Sequence, residues 1–267
     1  MNQRDVPLST FRLRRRTPGS FVLVPCPRLG RSLRCQGQLE AAAAVVLAAC
    51  PKVIRVKEQP LEIWYTWSGH PDAACIQLLR GRPQQPVGGR NDVRCSYIVP
   101  DFLIEMIDGR QRLIEVKPSR RLPDSMVQRK LTVASMFATE QGWTFNVITE
   151  RELFSGPLVT NLRLLARYRT LAADASLLQL IEQHAVSDGA TFADLVSRVR
   201  SRSEPSWARS HLRHLLAVGR LSFNPTGTSL GDETLVFPGG VIQWDPFDSV
   251  WARSGCWTAG PTGSSVN

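Results

Sequence analysis

The chain has 267 residues, 43% of them hydrophobic and 21% charged, a balance that fits a globular protein with room for one large domain or two. No apolar run approaches the roughly 20 residues of a membrane span, and the basic N-terminus lacks the apolar stretch and cleavage site of a secretion signal. A cytoplasmic protein without a membrane partner is therefore expected. Basic residues outnumber acidic ones by 33 to 23, and the resulting formal charge of +10 points to a polyanionic partner, nucleic acid first.

Residues 1–34 hold eight arginines and one acid and read as a basic arm. "QGQLEAAAAVVLAA" (36–49) is dense in helix formers and apolar on nearly all sides, which predicts a buried helix closed by Pro51. "KVIRVKEQPLEIWY" (52–65) reads as two strands about a turn at Gln59-Pro60. Residues 66–95, rich in Gly, Pro and Gln, read as an extended connection or insertion. "SYIVPDFLIEMIDGRQRLIEVKPSRR" (96–121) reads as a hairpin ended by Pro118. A helix is predicted over 123–143 from apolar Met126, Val127, Leu131, Ala134, Met136 and Phe137, with Gly142 closing it, and "TFNVITE" (144–150) reads as a further strand. This order indicates an α/β domain with a mixed sheet flanked by helices.

After "SGP" (155–157) the pattern turns helical. One or two helices are expected before residue 185, then a short one over 191–200 capped by Thr191. Another follows with Ser206 as cap and Leu212, Leu215, Leu216 and Val218 as its core face. "LSFNPTGTSLGDETLVF" alternates as a hairpin. Three helices and a hairpin outline a winged helix-turn-helix over 158–237. Its 9 basic and 7 acidic residues leave protein docking as credible as DNA binding. A tail over 238–267 carries Trp244, Trp251 and Trp257. The six cysteines form no C-x-x-C pair, so idle thiols are expected rather than a zinc site.

The hairpin carries the chemistry. Phosphodiester hydrolysis asks for a divalent cation on carboxylate oxygens, with an ammonium nearby to offset developing charge. Strand parity puts Glu115 and Lys117 on one face. A two-residue turn at Asp108-Gly109 would set Asp101 opposite Val116, on the wrong face. A three-residue loop Ile107-Asp108-Gly109, with Gly109 left-handed as a bulge, would set it opposite Glu115. The sequence allows both, and the chemistry demands the second. Glu40, the one charge in its helix, suits either a metal ligand or a helix-dipole partner. On the bland reading, Asp101 begins a strand and Glu115 and Lys117 form a solvated cross-strand pair.

"VPDFLIEMIDGRQRLIEVKP" resembles the PD-(D/E)xK nuclease core. With "GQLE" upstream and "GWTFNVITERELF" downstream, the stretch from about 34 to 155 is similar to TnsA, the endonuclease subunit of heteromeric cut-and-paste bacterial transposases. The resemblance implies a restriction-endonuclease-like α/β core over 35–155 and a winged-helix domain after it. It also implies Mg²⁺, for which Mn²⁺ can substitute, and cleavage of the 5′ (non-transferred) strands of double-stranded DNA at transposon ends. Its implied partners are a TnsB-like RNase H-fold transposase and a TnsC-like AAA+ ATPase, in a complex on nucleoid DNA. The family's metal-binding and catalytic positions fall on Glu40, Asp101 and Glu115, and its catalytic lysine on Lys117. Phosphate contacts are expected from the basic arm and from Arg120, Arg121, Arg209 and Arg213; the Trp-rich tail either docks on the ATPase or packs on its own domain. The alternatives are a free-standing nuclease of restriction or repair type and a non-catalytic winged-helix DNA-binding adaptor; the intact set of four residues speaks against the second.

Overall fold

The structure is a computed structural model that describes residues 21–26, 29–69, 75–84, 93–239 and 246–247. Residues 1–20 of the expected arm and Trp244, Trp251 and Trp257 of the tail lie outside the described residues. The chain divides into two compact units, the first including Lys52–Glu152 and the second Leu153–Ser249 together with the short segment Ala49–Pro51.

The first unit contains, in chain order, β1 (Val22–Cys26), β2 (Arg31–Cys35), α1 (Gln38–Ala49), β3 (Val53–Glu58), β4 (Ile63–Ser68), β5 (Cys75–Leu78), β6 (Arg94–Ile98), β7 (Phe102–Met106), β8 (Gln111–Val116), α2 (Ser125–Glu140) and β9 (Thr144–Ile148). Strands β3, β7, β8 and β9 lie side by side in that order in a mixed sheet. Its pairs are antiparallel except for β8 and β9, which run parallel because α2 crosses over between them. A second, antiparallel sheet has the order β5-β4-β6.

Two expectations change here. The end of the basic arm is a folded hairpin: β1 and β2 pair antiparallel, with Val24, Cys26, Leu33 and Cys35 buried in alternation with exposed neighbours. Period-two burial of that kind outweighs the arginine content. The stretch 66–95 is not simply an extended connection, because its described part supplies β5 and the start of β6, which flank β4.

Helix α1 buries Ala41, Ala42, Ala43, Ala44, Val46, Leu47 and Ala48, as a helix apolar on all sides must. Helix α2 begins where the Asp124 side chain accepts the Met126 N–H and ends before Gly142, which has φ +69°. Its Val127, Leu131, Val133, Ala134 and Ala138 share one core with Ile63, Tyr65 and Ile98 of the second sheet and with Leu113, Phe145 and Val147 of the mixed sheet. Met126, expected on the apolar face, is exposed.

A short helix, α3 (Glu150–Leu153), spans the boundary between the units. The second unit holds α4 (Leu158–Ala166), α5 (Ala175–His184), β10 (Ala190–Thr191), α6 (Phe192–Arg198), α7 (Pro205–Val218), β11 (Leu221–Ser222) and β12 (Leu235–Pro238). Its three short strands form an antiparallel sheet in the order β10-β12-β11. Thr191 caps α6 by accepting the Asp194 N–H. Helix α7 starts one residue before Ser206, with Pro205 in its first turn behind Glu204, since proline there gives up an N–H that has no partner anyway. Leu212, Leu215 and Leu216 are buried as expected, whereas Val218, at the helix end, is exposed. Buried Asn161 of α4 donates to the Pro225 and Thr228 carbonyls and accepts the Leu230 N–H, which fixes the loop between β11 and β12.

Candidate active site

The turn between β7 and β8 decides whether two acids meet. Gly109 donates its N–H to the Met106 carbonyl, and Met106 donates to the Arg110 carbonyl, each over 2.9 Å, with Gly109 at φ +80°. The loop is therefore the three-residue, glycine-bulged one, with Asp108 bonded through its carboxylate to Arg110. Pairing runs from Glu105↔Gln111 to Phe102↔Ile114, and one step further sets Asp101 opposite Glu115.

Asp101 sits at the entrance to β7 and is 8% exposed. Its carboxylate accepts the Val116 N–H at 2.7 Å, which ties it to the strand end that carries the lysine. The Lys117 ammonium lies 2.5 Å from Glu115 Oε1 and 3.8 Å from Asp101 Oδ2, so it bridges the two acids. Glu40, in the first turn of α1, accepts the Gln36 N–H at 2.7 Å and also stands within the field of Asp101, Lys117 and Glu115. It thus serves the helix start and the acidic cluster together.

The cluster is short of positive charge. Burial, then the neighbouring Asp101, push both Glu40 and Glu115 up to about 7. Burial raises Asp101 too, against the pull of Lys117 and the Val116 N–H. Lys117 is raised: burial alone would lower it, but Asp101, Glu115 and Glu40 hold its proton. Three carboxylates around one ammonium leave two excess negative charges if all ionise, in a donor set of oxygens alone. That chemistry fits a hard divalent cation. Among the described residues, however, no group of three or more His, Cys, Asp or Glu side chains is arranged as a ready metal shell. In the geometry on hand, the ammonium stands between Asp101 and Glu115.

The hairpin, its register and its acid–lysine cluster lie inside a recognisable domain. Residues 50–150 match the family described as TnsA-like endonuclease N terminal. This stretch is a TnsA-like endonuclease domain. The family implies nuclease activity on DNA and, in general terms, a role in Tn7-type transposition with Tn7-type partners. No curated protein matches the chain.

The TnsA-like domain as matched includes Asp101, Glu115 and Lys117, while Glu40 and the β1–β2 hairpin precede it. The hairpin is nonetheless close to the acids. Burial, followed by the charges of Glu40, Glu58 and Asp101, pushes the Cys35 thiol up to about 12. Buried Glu58 is held by Arg31 of the hairpin through two bonds of 2.6 and 2.7 Å. Sequence reading missed this pair because its members stand 27 residues apart and share no motif. Arg120 and Arg121 are exposed in a single 3-10 turn, Ser119–Arg121, directly after the lysine. Arg209 and Arg213 are in the other unit and are engaged there. Arg209 is paired through both terminal nitrogens with Asp232, and Arg213 donates to the Tyr168 hydroxyl. No helix among the described residues is long and apolar enough to cross a membrane.

Proposed function

We propose that the chain is the endonuclease subunit of a heteromeric cut-and-paste transposase. It cuts the 5′ strands of double-stranded DNA at transposon ends, beside a TnsB-like RNase H-fold transposase and a TnsC-like AAA+ ATPase. The observation that carries the reading is the bulged hairpin that stacks Asp101 on Glu115 with Lys117 between them, inside a TnsA-like domain.

Asp101 and Glu115, with Glu40, are the residues that would hold a Mg²⁺ ion, or Mn²⁺ in its place. When bound, such an ion supplies an activated water and offsets charge on the phosphoryl oxygens. Lys117 acts as a fixed positive charge rather than as a base, since the surrounding acids hold its proton; its ammonium stabilises the charge that develops on the phosphate. The Asp101 carboxylate, by accepting the Val116 N–H, keeps the two strands in the register this requires.

From α5 onward the second unit has the order helix, strand, helix, helix and two strands, with the last strand central in its sheet and α4 preceding them, which supports a winged-helix reading. Its helix α7 spends Arg209 and Arg213 on internal partners, and this favours docking of a protein partner over reading DNA.

The test is cleavage of transposon-end DNA in Mg²⁺, with and without the neighbouring transposase. Asp101→Ala and Lys117→Ala are each expected to abolish 5′-strand cutting while DNA binding persists. Undiminished cutting by both variants would remove the site assignment.

A further inference from the structure

We propose that Glu150 is the positioning residue for Lys117. This rests on the reading of Lys117 as the nuclease lysine and adds how the chain holds it in place.

Strands β8 and β9 run parallel, and their last paired residues are Val116 and Ile148. One more backbone bond follows, from the Lys117 N–H to the Ile148 carbonyl at 2.9 Å. There the ladder must stop, because Pro118 has no N–H to give. The next available donor on the β8 side is Ser119. Its N–H is accepted at 2.8 Å by one carboxylate oxygen of Glu150, and its hydroxyl donates to the other. Glu150 stands two residues beyond Ile148, at the first residue of α3. A side chain thus continues the ladder past the proline, and Lys117 is anchored on both sides.

The anchor matters because of what Lys117 must reach. Its ammonium approaches Glu115, two residues back on the same strand, and Asp101 on the adjoining one. A four-carbon side chain holds that position only if its backbone is fixed, since each free rotor it keeps weakens the placement. Both Glu150 oxygens are spent on Ser119, and these bonds hold the Glu150 carboxyl below its ordinary range. The same clamp fixes where the exposed turn with Arg120 and Arg121 leaves the strand.

The experiment uses the full chain with Glu150→Ala, Glu150→Gln and Asp101→Asn, and reads three quantities. The first is cleavage of transposon-end DNA in Mg²⁺, with the partner transposase, separated into kcat and KM. The second is Tm. The third is the rate at which an amine-reactive acetylating reagent modifies Lys117, measured by mass spectrometry with Lys52, Lys57 and Lys130 as internal references. For Glu150→Ala the expected result is a fall in kcat of about 10- to 100-fold, as for other residues that orient an active-site group, with KM little changed. Lys117 alone is modified faster, and Tm stays near that of the parent chain. Glu150→Gln, whose amide oxygen accepts the Ser119 N–H and whose NH₂ donates to the hydroxyl, recovers most of both effects.

The proposal is overturned if Glu150→Ala leaves kcat and Lys117 labelling unchanged. It is also overturned if all four lysines are modified faster together as Tm falls, the mark of general loosening. Asp101→Asn separates the two readings: full cutting by that variant removes the site assignment, whereas a Lys117-specific labelling change in Glu150→Ala stands without it.

Discussion

Among single residues, the acids of the site carry the clearest thermodynamic signature. Glu40 and Glu115 are raised to about 7 in the folded chain, first by burial and then by Asp101. In the unfolded chain each titrates near the ordinary carboxylate value. Between these two values the folded state binds more protons than the unfolded one, so stability falls as pH rises. One pKa unit is worth about 1.4 kcal/mol, so Glu115 alone contributes on the order of 3 kcal/mol across that window. Urea unfolding in EDTA is therefore expected to give a more stable chain at pH 5 than at pH 7.5, and Glu115→Gln should flatten the slope. An equal slope in parent and variant would show that Glu115 does not titrate in this window. Asp101, Glu115 and Lys117 were legible in the sequence because strand parity and a turn relate residues a few positions apart. Glu58 with Arg31, and Ser119 with Glu150, were not, since partners 27 and 31 residues apart leave no local pattern.

For the elements, the determining feature is a loop three residues long. Gly109 at φ +80° permits the bulge that brings Asp101 across from Glu115. No atom lies within 4 Å of where a Cβ would stand, so a side chain there meets backbone strain alone. Left-handed backbone costs a non-glycine residue roughly 1–2 kcal/mol. Gly109→Ala is thus expected to lower Tm and cleavage rate together, with Gly109→Asn recovering part of each, because Asn tolerates this conformation better. A Gly109→Ala chain with unchanged Tm would mean that the loop does not need its left-handed residue. The chemistry singled out this turn, whereas propensity alone left two options. Long helices such as α1 and α2 were legible from composition and period. The second sheet was not: β5 and β6 are four and five residues long, mix polar with apolar side chains, and sit in a stretch rich in Gly, Pro and Gln. Their strand state comes from pairing with β4, which lies beyond any local window.

At the scale of the whole molecule, a charge of +10 raises the question of which arginines are free to meet DNA. In the second unit the two arginines expected to contact phosphate are committed. Arg209 is bound to Asp232 and Arg213 to the Tyr168 hydroxyl, and a third, Arg220, donates through Nε to Glu182 at 2.7 Å. Arg120 and Arg121 of the TnsA-like domain are exposed, three and four residues beyond Lys117, the last residue of its cluster, and Arg121 meets Asp124 at a long 3.4 Å. Each phosphate contact adds about 0.9 to the slope of log K against log salt, so the slope counts the contacts that a given arginine makes. Replacing Arg120 and Arg121 together by Ala is expected to reduce that slope by about 1–2 in a titration with transposon-end DNA. Arg209→Ala and Arg213→Ala should leave it unchanged and lower Tm instead, because each removes an internal partner. If the slope fell for the second pair and not for the first, DNA would contact the second unit rather than the strand end beside Lys117, and α7 would be its reading helix after all.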